Sequence, residues 1–226
     1  VDKLSDVFLH LTGELVITPT KPAIRTKSRT INDIDISDIK GQDHAKRALM
    51  IAAAGHHNIL LNGPPGAGKT MLARALVGIL PALSDSEIVE VTKLHNLGGE
   101  ADDTIITERP FRSPHHTASF ISLVGGGSKP VPGEISLAHN GVLFLDEIPE
   151  YPRMSLEALR QPLEDRTISV SRSAGKVRYP ANFMLIATKN PCPCGYYGDP
   201  NRECTCTMTQ LLAYQKRVSG PLMDRI

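Results

Sequence analysis

The chain has 226 residues, of which 41% are hydrophobic and 22% charged, and its formal net charge is only +1. This composition is typical of a globular protein with one large domain and a sizeable core, and the low charge argues against a surface coated in positive charge for nucleic acid. No apolar run is long enough to span a membrane and no signal peptide is recognisable at the start, so we expect a cytoplasmic location without membrane contact.

The first 37 residues are interpreted as a tail and linker, because prolines and a basic run interrupt any regular pattern there. Denser signals begin at residue 38. Residues 43–54 show the apolar spacing of a helix, and the short apolar run 58–62 suits a buried parallel strand. Helical periodicity returns over 69–80, after a glycine-rich turn. A strand, a tight turn and a helix in succession form one unit of a three-layer α/β fold.

Two more continuous apolar runs, 141–145 and 183–187, are predicted to be core strands of the same parallel sheet. A helix is expected over 153–164, although Pro162 obscures where it ends. The runs 167–170 and 176–179 predict a β-hairpin. The stretch 110–135 contains several glycines and prolines and shows no clear period.

The glycine-rich turn matches the phosphate-binding P-loop pattern in full, as Gly63-Pro64-Pro65-Gly66-Ala67-Gly68-Lys69-Thr70. Glycines allow backbone N–H groups to turn toward phosphate oxygens, and the helix that begins at Lys69 directs its positive end at them. We predict that this loop and Met71 bind ATP, with Lys69 on the β- and γ-phosphates and Thr70 on Mg²⁺. The alternative is a turn that merely connects two elements.

Asp146 and Glu147 follow directly after the apolar run 142–145. The carboxyl ends of parallel strands meet at one edge of the sheet, so these acids are expected beside the P-loop. Asp146 would contribute to the Mg²⁺ shell and Glu147 would polarise the attacking water. Two solvated acids at a strand end are the alternative.

All four cysteines fall in one short segment, as Cys192-x-Cys194 and Cys204-x-Cys206. Four thiolates can complete a tetrahedral Zn²⁺ shell, which predicts a structural zinc site without an open position. Cys-x-Cys is tighter than the common Cys-x-x-Cys, and free thiols or redox chemistry remain as alternatives. Disulfides are disfavoured in the cytosol.

With these motifs placed, residues 38–226 resemble the AAA+ core of the ComM/YifB family, whose members are magnesium-chelatase-like. Beyond the P-loop and the acids, the resemblance rests on these phrases: Gly41–Leu49, Phe111–Thr117, Pro132–Glu147, Asn190–Gly195 and Ser219–Arg225. It implies a three-layer P-loop fold with β-hairpin inserts, and residues 1–37 would end the preceding domain. The helical lid of the family is expected beyond Ile226, which suggests a fragment of a longer protein.

The resemblance also implies roles for two further residues. Asn190 stands where this class of motor has a sensor of the γ-phosphate, and an amide can both donate to phosphate and orient water. Arg225 corresponds to the arginine finger that enters the site of a neighbouring subunit in a ring, which the family suggests is a hexamer. The alternatives are an Asn-Pro turn for Asn190 and a salt bridge to Asp224 or another acid for Arg225.

Positive charge is concentrated on or beside the predicted hairpin and at the glycine triplet, in Arg166, Arg172, Lys176, Arg178 and Lys129. Such charges could hold DNA phosphates without base reading, although a solvated hairpin face is the simpler interpretation. By resemblance these inserts face the pore of a ring.

The leading hypothesis is therefore an ATP-hydrolysing motor that translocates on DNA as a helicase and drives branch migration during natural transformation. A chelatase motor that remodels a protein partner for metal insertion is the second. A nucleotide-gated scaffold with little hydrolysis is the third, although it would have no need of Glu147.

Overall fold

The computed structural model describes residues 3–18, 34–100, 105–127, 130–172 and 175–226. The described helices are α1 (Leu4–Thr12), α2 (Asp43–Gly55), α3 (Lys69–Val77), α4 (Asp85–Leu97), α5 (Phe120–Val124), α6 (Glu134–Leu137), α7 (Arg153–Glu157), α8 (Arg160–Asp165), α9 (Met208–Gln215) and α10 (Gly220–Met223). The described strands are β1 (Ile59–Asn62), β2 (Phe111–Arg112), β3 (Gly125–Gly126), β4 (Val131–Pro132), β5 (Val142–Leu145), β6 (Thr167–Arg172), β7 (Gly175–Pro180) and β8 (Met184–Lys189). Single 3₁₀ turns lie at Ile36–Asp38 and Ile148–Glu150.

The central sheet has the strand order β1-β8-β5-β2, and every neighbouring pair is parallel. Ile186 of β8 lies opposite both Ile59 of β1 and Phe144 of β5, which places β8 between the other two predicted strands. The predicted α/β fold with a central parallel sheet is confirmed. Since all strands point the same way, everything that follows β1, β5 and β8 is collected at one edge of the sheet.

Alternate residues of β5 and β8 enter two separate hydrophobic cores. Leu143, Leu145, Leu185 and Ala187 pack on the face that carries the hairpin, whereas Val142, Phe144, Met184 and Ile186 pack against α2 and α3. These side chains are at most 1% exposed. Burial on both faces explains why β5 and the first four residues of β8, 184–187, are continuous apolar runs instead of alternating with polar residues.

The single helix expected over 153–164 is wrong, because two short helices, α7 and α8, occupy this stretch. Pro162 has no N–H to donate to the carbonyl of Ala158, and its ring would collide with that carbonyl in a continuous helix. The chain therefore breaks at Ala158–Leu159 and begins again.

The stretch 110–135, which has no period in the sequence, contains the edge strand β2 and the small elements α5, β3 and β4. Arg112 on β2 makes paired hydrogen bonds with Glu100 and with Glu134, all between 2.6 and 2.9 Å. Sequence periodicity also missed α4, which begins with a reciprocal cap between Ser84 and Glu87. A low apolar content leaves little periodic signal in that helix.

The predicted hairpin is confirmed as the antiparallel pair β6 and β7, while its turn residues 173–174 lie outside the described residues. Part of the segment expected to be tail and linker is helical, since α1 spans Leu4–Thr12 and buries none of its residues. Within the described ranges, no helix is long and apolar enough to cross a membrane.

Candidate functional site

The carboxyl edge of the sheet brings the predicted catalytic residues together. β1 leads into the P-loop, β5 into Asp146 and Glu147, and β8 into Asn190. The parallel register between β5 and β8 sets Leu145 opposite Ala187, so β8 extends two residues beyond the end of β5. Five side chains from three separate stretches of the sequence thereby meet around the start of α3.

The P-loop has the backbone shape that phosphate binding requires. Gly66 and Gly68 have φ of +79° and +78°, a region open to glycine at little cost. Lys69 folds back over the loop, and its Nζ donates to the carbonyls of Gly63 at 2.6 Å and Pro64 at 2.9 Å. Partial burial lowers the pKa of Lys69, and the charges of Asp146 and Glu147 oppose this shift.

Met71 lies one residue beyond Thr70 on α3, and its side chain is 45% exposed. It is thus accessible near the loop but makes no hydrogen bond there. Its proposed contact with the nucleotide remains a prediction.

Asp146 accepts hydrogen bonds from two hydroxyl groups. Thr70 Oγ1 lies 3.2 Å from Asp146 Oδ2, and Thr188 Oγ1 lies 2.5 Å from Asp146 Oδ1. A hydroxyl and a carboxylate side by side are the oxygen ligands that Mg²⁺ accepts, and Mg²⁺ usually completes its shell with water and phosphate oxygens. Thr70 and Asp146 therefore fit the metal predicted for them.

Glu147 is held by its backbone and by Asn190. Its φ is +52°, which is uncommon for a residue with a side chain, and its N–H donates to Thr188 Oγ1 at 2.8 Å. Asn190 Oδ1 accepts from Lys69 Nζ at 3.0 Å, and Asn190 Nδ2 lies 3.5 Å from Glu147 Oε1, at the outer limit of a hydrogen bond. Asn190 thus stands between the cation and the acid.

Thr188, which contacts both acids, was not recognised in the sequence as a site residue. The signal was available, because Thr188 is a hydroxyl residue that directly follows the apolar run 183–187, two positions before Asn190. A fully buried hydroxyl needs partners, and in this position the nearest partners are the polar groups at the end of the neighbouring strand.

Arg225 lies away from the P-loop of its own chain. Its guanidinium contacts Glu164 and the carbonyl of Pro221, and its own carbonyl accepts from Asn58 at 2.7 Å, just before β1 begins. This is the amino end of β1, whereas the P-loop follows the carboxyl end. Within a single chain, Arg225 is a salt-bridge partner of Glu164, not of Asp224.

The four cysteines form a compact cluster in which all Sγ atoms lie within 4.8 Å of one another. Three of the separations are 3.3, 3.7 and 3.6 Å, for Cys192–Cys194, Cys192–Cys204 and Cys194–Cys204. A tetrahedral Zn²⁺ with Zn–S bonds of about 2.3 Å requires sulfur–sulfur distances of about 3.8 Å. The backbone N–H of Tyr197 donates to Cys192 Sγ at 3.2 Å. The donor set and its spacing therefore fit zinc.

The hairpin presents an apolar face to the core and a polar face to solvent. Ile168, Val170 and Tyr179 are buried, whereas Lys176 and Arg178 are exposed and two residues apart on β7. Arg166 is exposed at the base of the hairpin. Lys129 and the side chain of Arg172 lie outside the described residues, so their predicted DNA contacts stay predictions.

Comparison with known proteins identifies the protein family of this chain. The profile of the family described as "Magnesium chelatase, subunit ChlI" matches residues 35–226. The chain belongs to the magnesium chelatase subunit ChlI family. The resemblance drawn from the motifs alone is thereby confirmed.

Among the relatives of this ChlI-family chain, the YifB protein of Escherichia coli is 50% identical over 99% of the chain and 44% of its own length. The competence protein ComM of Haemophilus influenzae is 54% identical over 86% of the chain and 38% of its own length. The magnesium-chelatase 67 kDa subunit of Chlorobaculum parvum is 28% identical over 70% of the chain and 23% of its own length. The chain therefore spans less than half the length of the curated relatives it matches.

Solved structures agree with the fold. A magnesium chelatase complex of subunits BchI and BchD matches with a TM-score of 0.56 and 22% identity, over 79% of this chain and 58% of that chain. NtrX from Brucella abortus, in complex with ADP, matches with a TM-score of 0.52 and 20% identity, over 83% of this chain and 35% of that chain. At these identities the match establishes the AAA+ fold of the ChlI-family chain.

Proposed function

We propose that this chain is the ATP-hydrolysing core of a ring-forming motor that acts on DNA. The observation that carries the proposal is the convergence of Lys69, Thr70, Asp146, Glu147 and Asn190 at the carboxyl edge of the sheet. A site for nucleotide binding alone needs the P-loop and the metal ligands. The additional acid, Glu147, with an amide beside it, favours hydrolysis.

The residues divide the chemistry among them. Backbone N–H groups of Gly66 to Thr70 and Lys69 Nζ would receive the phosphates, and Lys69 would exchange its present carbonyl contacts for phosphate oxygens. Thr70 and Asp146 would hold Mg²⁺, which supplies charge neutralisation on the phosphates when bound. Little covalent work remains for the protein, so positioning and electrostatics dominate.

Glu147 is suited to orient and polarise the attacking water. The hydrogen bond from its backbone N–H to Thr188 fixes the backbone of Glu147, which limits the positions that its carboxylate can occupy. Asn190 can donate one amide hydrogen toward Glu147 and keep its oxygen on Lys69, which links the state of the phosphates to the position of the acid. This supports the sensor role for Asn190.

Arg225 would act on a neighbouring subunit and not on its own site. Its position at the opposite edge of the sheet from the P-loop is what a residue working in trans requires, and it would have to exchange Glu164 for the phosphates of the neighbour. A guanidinium that enters such a site is worth on the order of 10³–10⁵ in rate. Ring assembly, with six subunits as the family suggests, is part of this proposal.

DNA is the proposed track because the exposed face of the hairpin is basic and carries no acid among its described residues. Lys176 and Arg178 are exposed and lie opposite Ser171 and Ser169 of the paired strand. Arg178 Nε donates to Thr167 Oγ1 at 2.9 Å. Hydroxyls and cations together suit a phosphate backbone.

The four cysteines would hold a structural Zn²⁺, and the protein would work in the cytoplasm.

The test is ATP turnover by the full-length protein, with and without branched DNA, at low and high salt. The proposal expects turnover that branched DNA stimulates and that salt weakens, because phosphate contacts release counterions. Replacing Lys176 and Arg178 by Gln should abolish the stimulation and leave basal turnover intact. Replacing the exposed Lys40 and Lys93 by Gln is the matched control, since it removes the same charge elsewhere.

Turnover that no DNA changes would exclude the DNA motor and favour a motor that remodels a protein partner, as the similarity to magnesium-chelatase subunits suggests. Nucleotide binding without turnover would instead leave a nucleotide-gated scaffold.

A further inference from the structure

The segment 191–206, which carries the four cysteines, joins Asn190 to α9 without a helix or strand of its own, and all of its residues are described. Loops longer than about 12 residues without secondary structure are uncommon in compact domains and are usually functional. Within this segment only Cys192 and Gly195 are buried. The segment therefore lacks an apolar core, and the cluster of thiols is the feature that can hold it in shape.

Gly195, the second buried residue, lies directly against the P-loop. A Cβ at Gly195 would be 2.6 Å from Cδ and 2.7 Å from Cγ of Pro65. Its φ of +88° is readily adopted only by glycine, and its N–H donates to the carbonyl of Cys192 at 3.0 Å. The geometry of the cysteine cluster thus sets the position of backbone that packs on the phosphate-binding turn.

The ends of the segment also meet the nucleotide site. Asn190, at its start, bonds Lys69 Nζ through its side chain. Tyr214 on α9, beyond the end of the segment, interacts with the backbone of Asn190. Burial raises the pKa of Tyr214, and the hydrogen bond from this backbone opposes the rise. A change in the shape of the segment would therefore reach the sensor amide as well as Pro65.

We propose that a metal ion held by Cys192, Cys194, Cys204 and Cys206 sets the nucleotide affinity of the P-loop through the contact between Gly195 and Pro65. This inference rests on the zinc and nucleotide sites proposed above. Metal binding closes the segment and orders it before nucleotide arrives. Nucleotide binding then does not have to offset the entropic cost of ordering the segment. Without the metal, Gly195 leaves Pro65 and the nucleotide has to order the loop itself.

The first arm of the test uses the full-length protein without DNA. Metal content is measured on the purified protein, and the Kd for a fluorescent ATP analogue with Mg²⁺ is measured before metal removal, after it, and after addition of Zn²⁺. We expect about one zinc per chain, as a closed four-thiolate site requires. Removal should weaken nucleotide binding about tenfold or more, and Zn²⁺ should restore it where additional Mg²⁺ does not.

The second arm separates the contact with Pro65 from the metal itself. Gly195→Ala keeps all four thiols but introduces the Cβ that collides with Pro65. Gly198→Ala is the matched control, because Gly198 lies in the same segment with a φ of +80° and has nothing within 4 Å of its ideal Cβ. Both variants should bind zinc, and Gly195→Ala alone should lose nucleotide affinity.

Each outcome bears on the inference. Equal nucleotide affinity with and without zinc, or equal affinity of the two alanine variants, would overturn it. If metal removal unfolds the chain, as circular dichroism would reveal, the alanine pair decides. Failure of the zinc-loaded protein to bind any nucleotide would overturn the proposed function as well, whereas normal nucleotide binding without DNA stimulation would leave this inference standing.

Discussion

At the scale of single residues, the hydroxyl of Thr188 links the two acids of the nucleotide site. It donates to Asp146 and accepts from the backbone of Glu147, while its β-branched side chain suits the strand in which it lies. Thr188 touches neither the phosphates nor the water of the proposed reaction. It is a positioning residue, and its contribution should be visible in the metal dependence of turnover.

Thr188→Val preserves the shape of this buried side chain but leaves the N–H of Glu147 and one carboxylate oxygen of Asp146 without their hydroxyl partner. Loss of such an outer partner typically costs about 10- to 100-fold in metal affinity or activity, and we expect a rise in the Mg²⁺ concentration for half-maximal turnover of that order. Thr188→Ser keeps the hydroxyl and should restore most of the loss. Unchanged Mg²⁺ dependence in the valine variant would show that Thr188 only fills space.

Glu147→Gln tests hydrolysis separately from binding. The amide has the same shape and can occupy the same backbone conformation, but it cannot polarise water as a base. We expect turnover to fall by about 100-fold or more while the Kd for ATP stays close to that of the parent protein. Turnover at the parental rate would contradict the role assigned to Glu147 and strengthen the case for a scaffold.

At the scale of elements, the position of the edge strand β2 depends on a close approach between the backbone at Pro110 and the backbone at Gly141. The N–H of Val142 donates to the carbonyl of Pro110 at 2.8 Å, and a Cβ at Gly141 would lie 2.1 Å from that same oxygen. Gly141 therefore permits β2 to reach β5. This pairing completes the sheet on the side of Asp146 and Glu147.

Gly141→Ala should push β2 away from β5. Forcing additional atoms into a packed interior costs about 1–3 kcal/mol, and we expect the free energy of unfolding, measured with urea, to fall by this amount. Gly220→Ala is the control, because its ideal Cβ meets nothing within 4 Å and its φ is not positive. Equal stability of the two variants would mean that β2 accommodates the methyl group without separating from β5.

At the scale of the whole molecule, the buried side chain of His95 is expected to make the free energy of unfolding depend on pH. His95 is 7% exposed, and its Nε2 donates to the carbonyl of Leu137 at 3.0 Å. Burial lowers the pKa of His95 and the charge of Arg112 adds to this, while the bond to Leu137 and the charge of Glu100 oppose it. The folded chain thus resists a proton that the unfolded chain accepts.

The sign of the effect follows from this lowered pKa. Well above the ordinary value of 6.5, His95 is neutral in both the folded and the unfolded state, so its titration does not change the free energy of unfolding. As the pH falls below 6.5, the unfolded state gains protons first, so the free energy of unfolding falls by at most about 1.4 kcal/mol per pH unit for this group.

Urea unfolding between pH 7.5 and 5.5 should show this decline, and His95→Gln should reduce its slope. Part of the slope should remain in the variant, because burial also lowers the pKa of His56. Parallel pH profiles of the parent and the variant would refute the assignment.

The sequence by itself determined the parts of this protein that depend on local patterns. A P-loop is a contiguous run whose glycines, lysine and threonine are required by phosphate geometry, and apolar runs covered on both faces are recognisable as parallel strands. The same holds for the paired cysteines, whose spacing already indicated a four-thiolate cluster. The edge strand β2, the helix α4 and the break at Ala158–Leu159 were not recognised, because short or polar elements carry little periodicity.

Only the tertiary structure decided which distant residues act together. Thr188 gains its importance from the strand beside it, Gly195 from the proline it packs against, and Arg225 from lying at the opposite edge from its own P-loop. Such relations depend on strand order and register, which bring together residues more than 40 positions apart, as with Asp146 and Thr188. No local pattern records them, because the energy that selects them comes from burying two faces of one sheet at once.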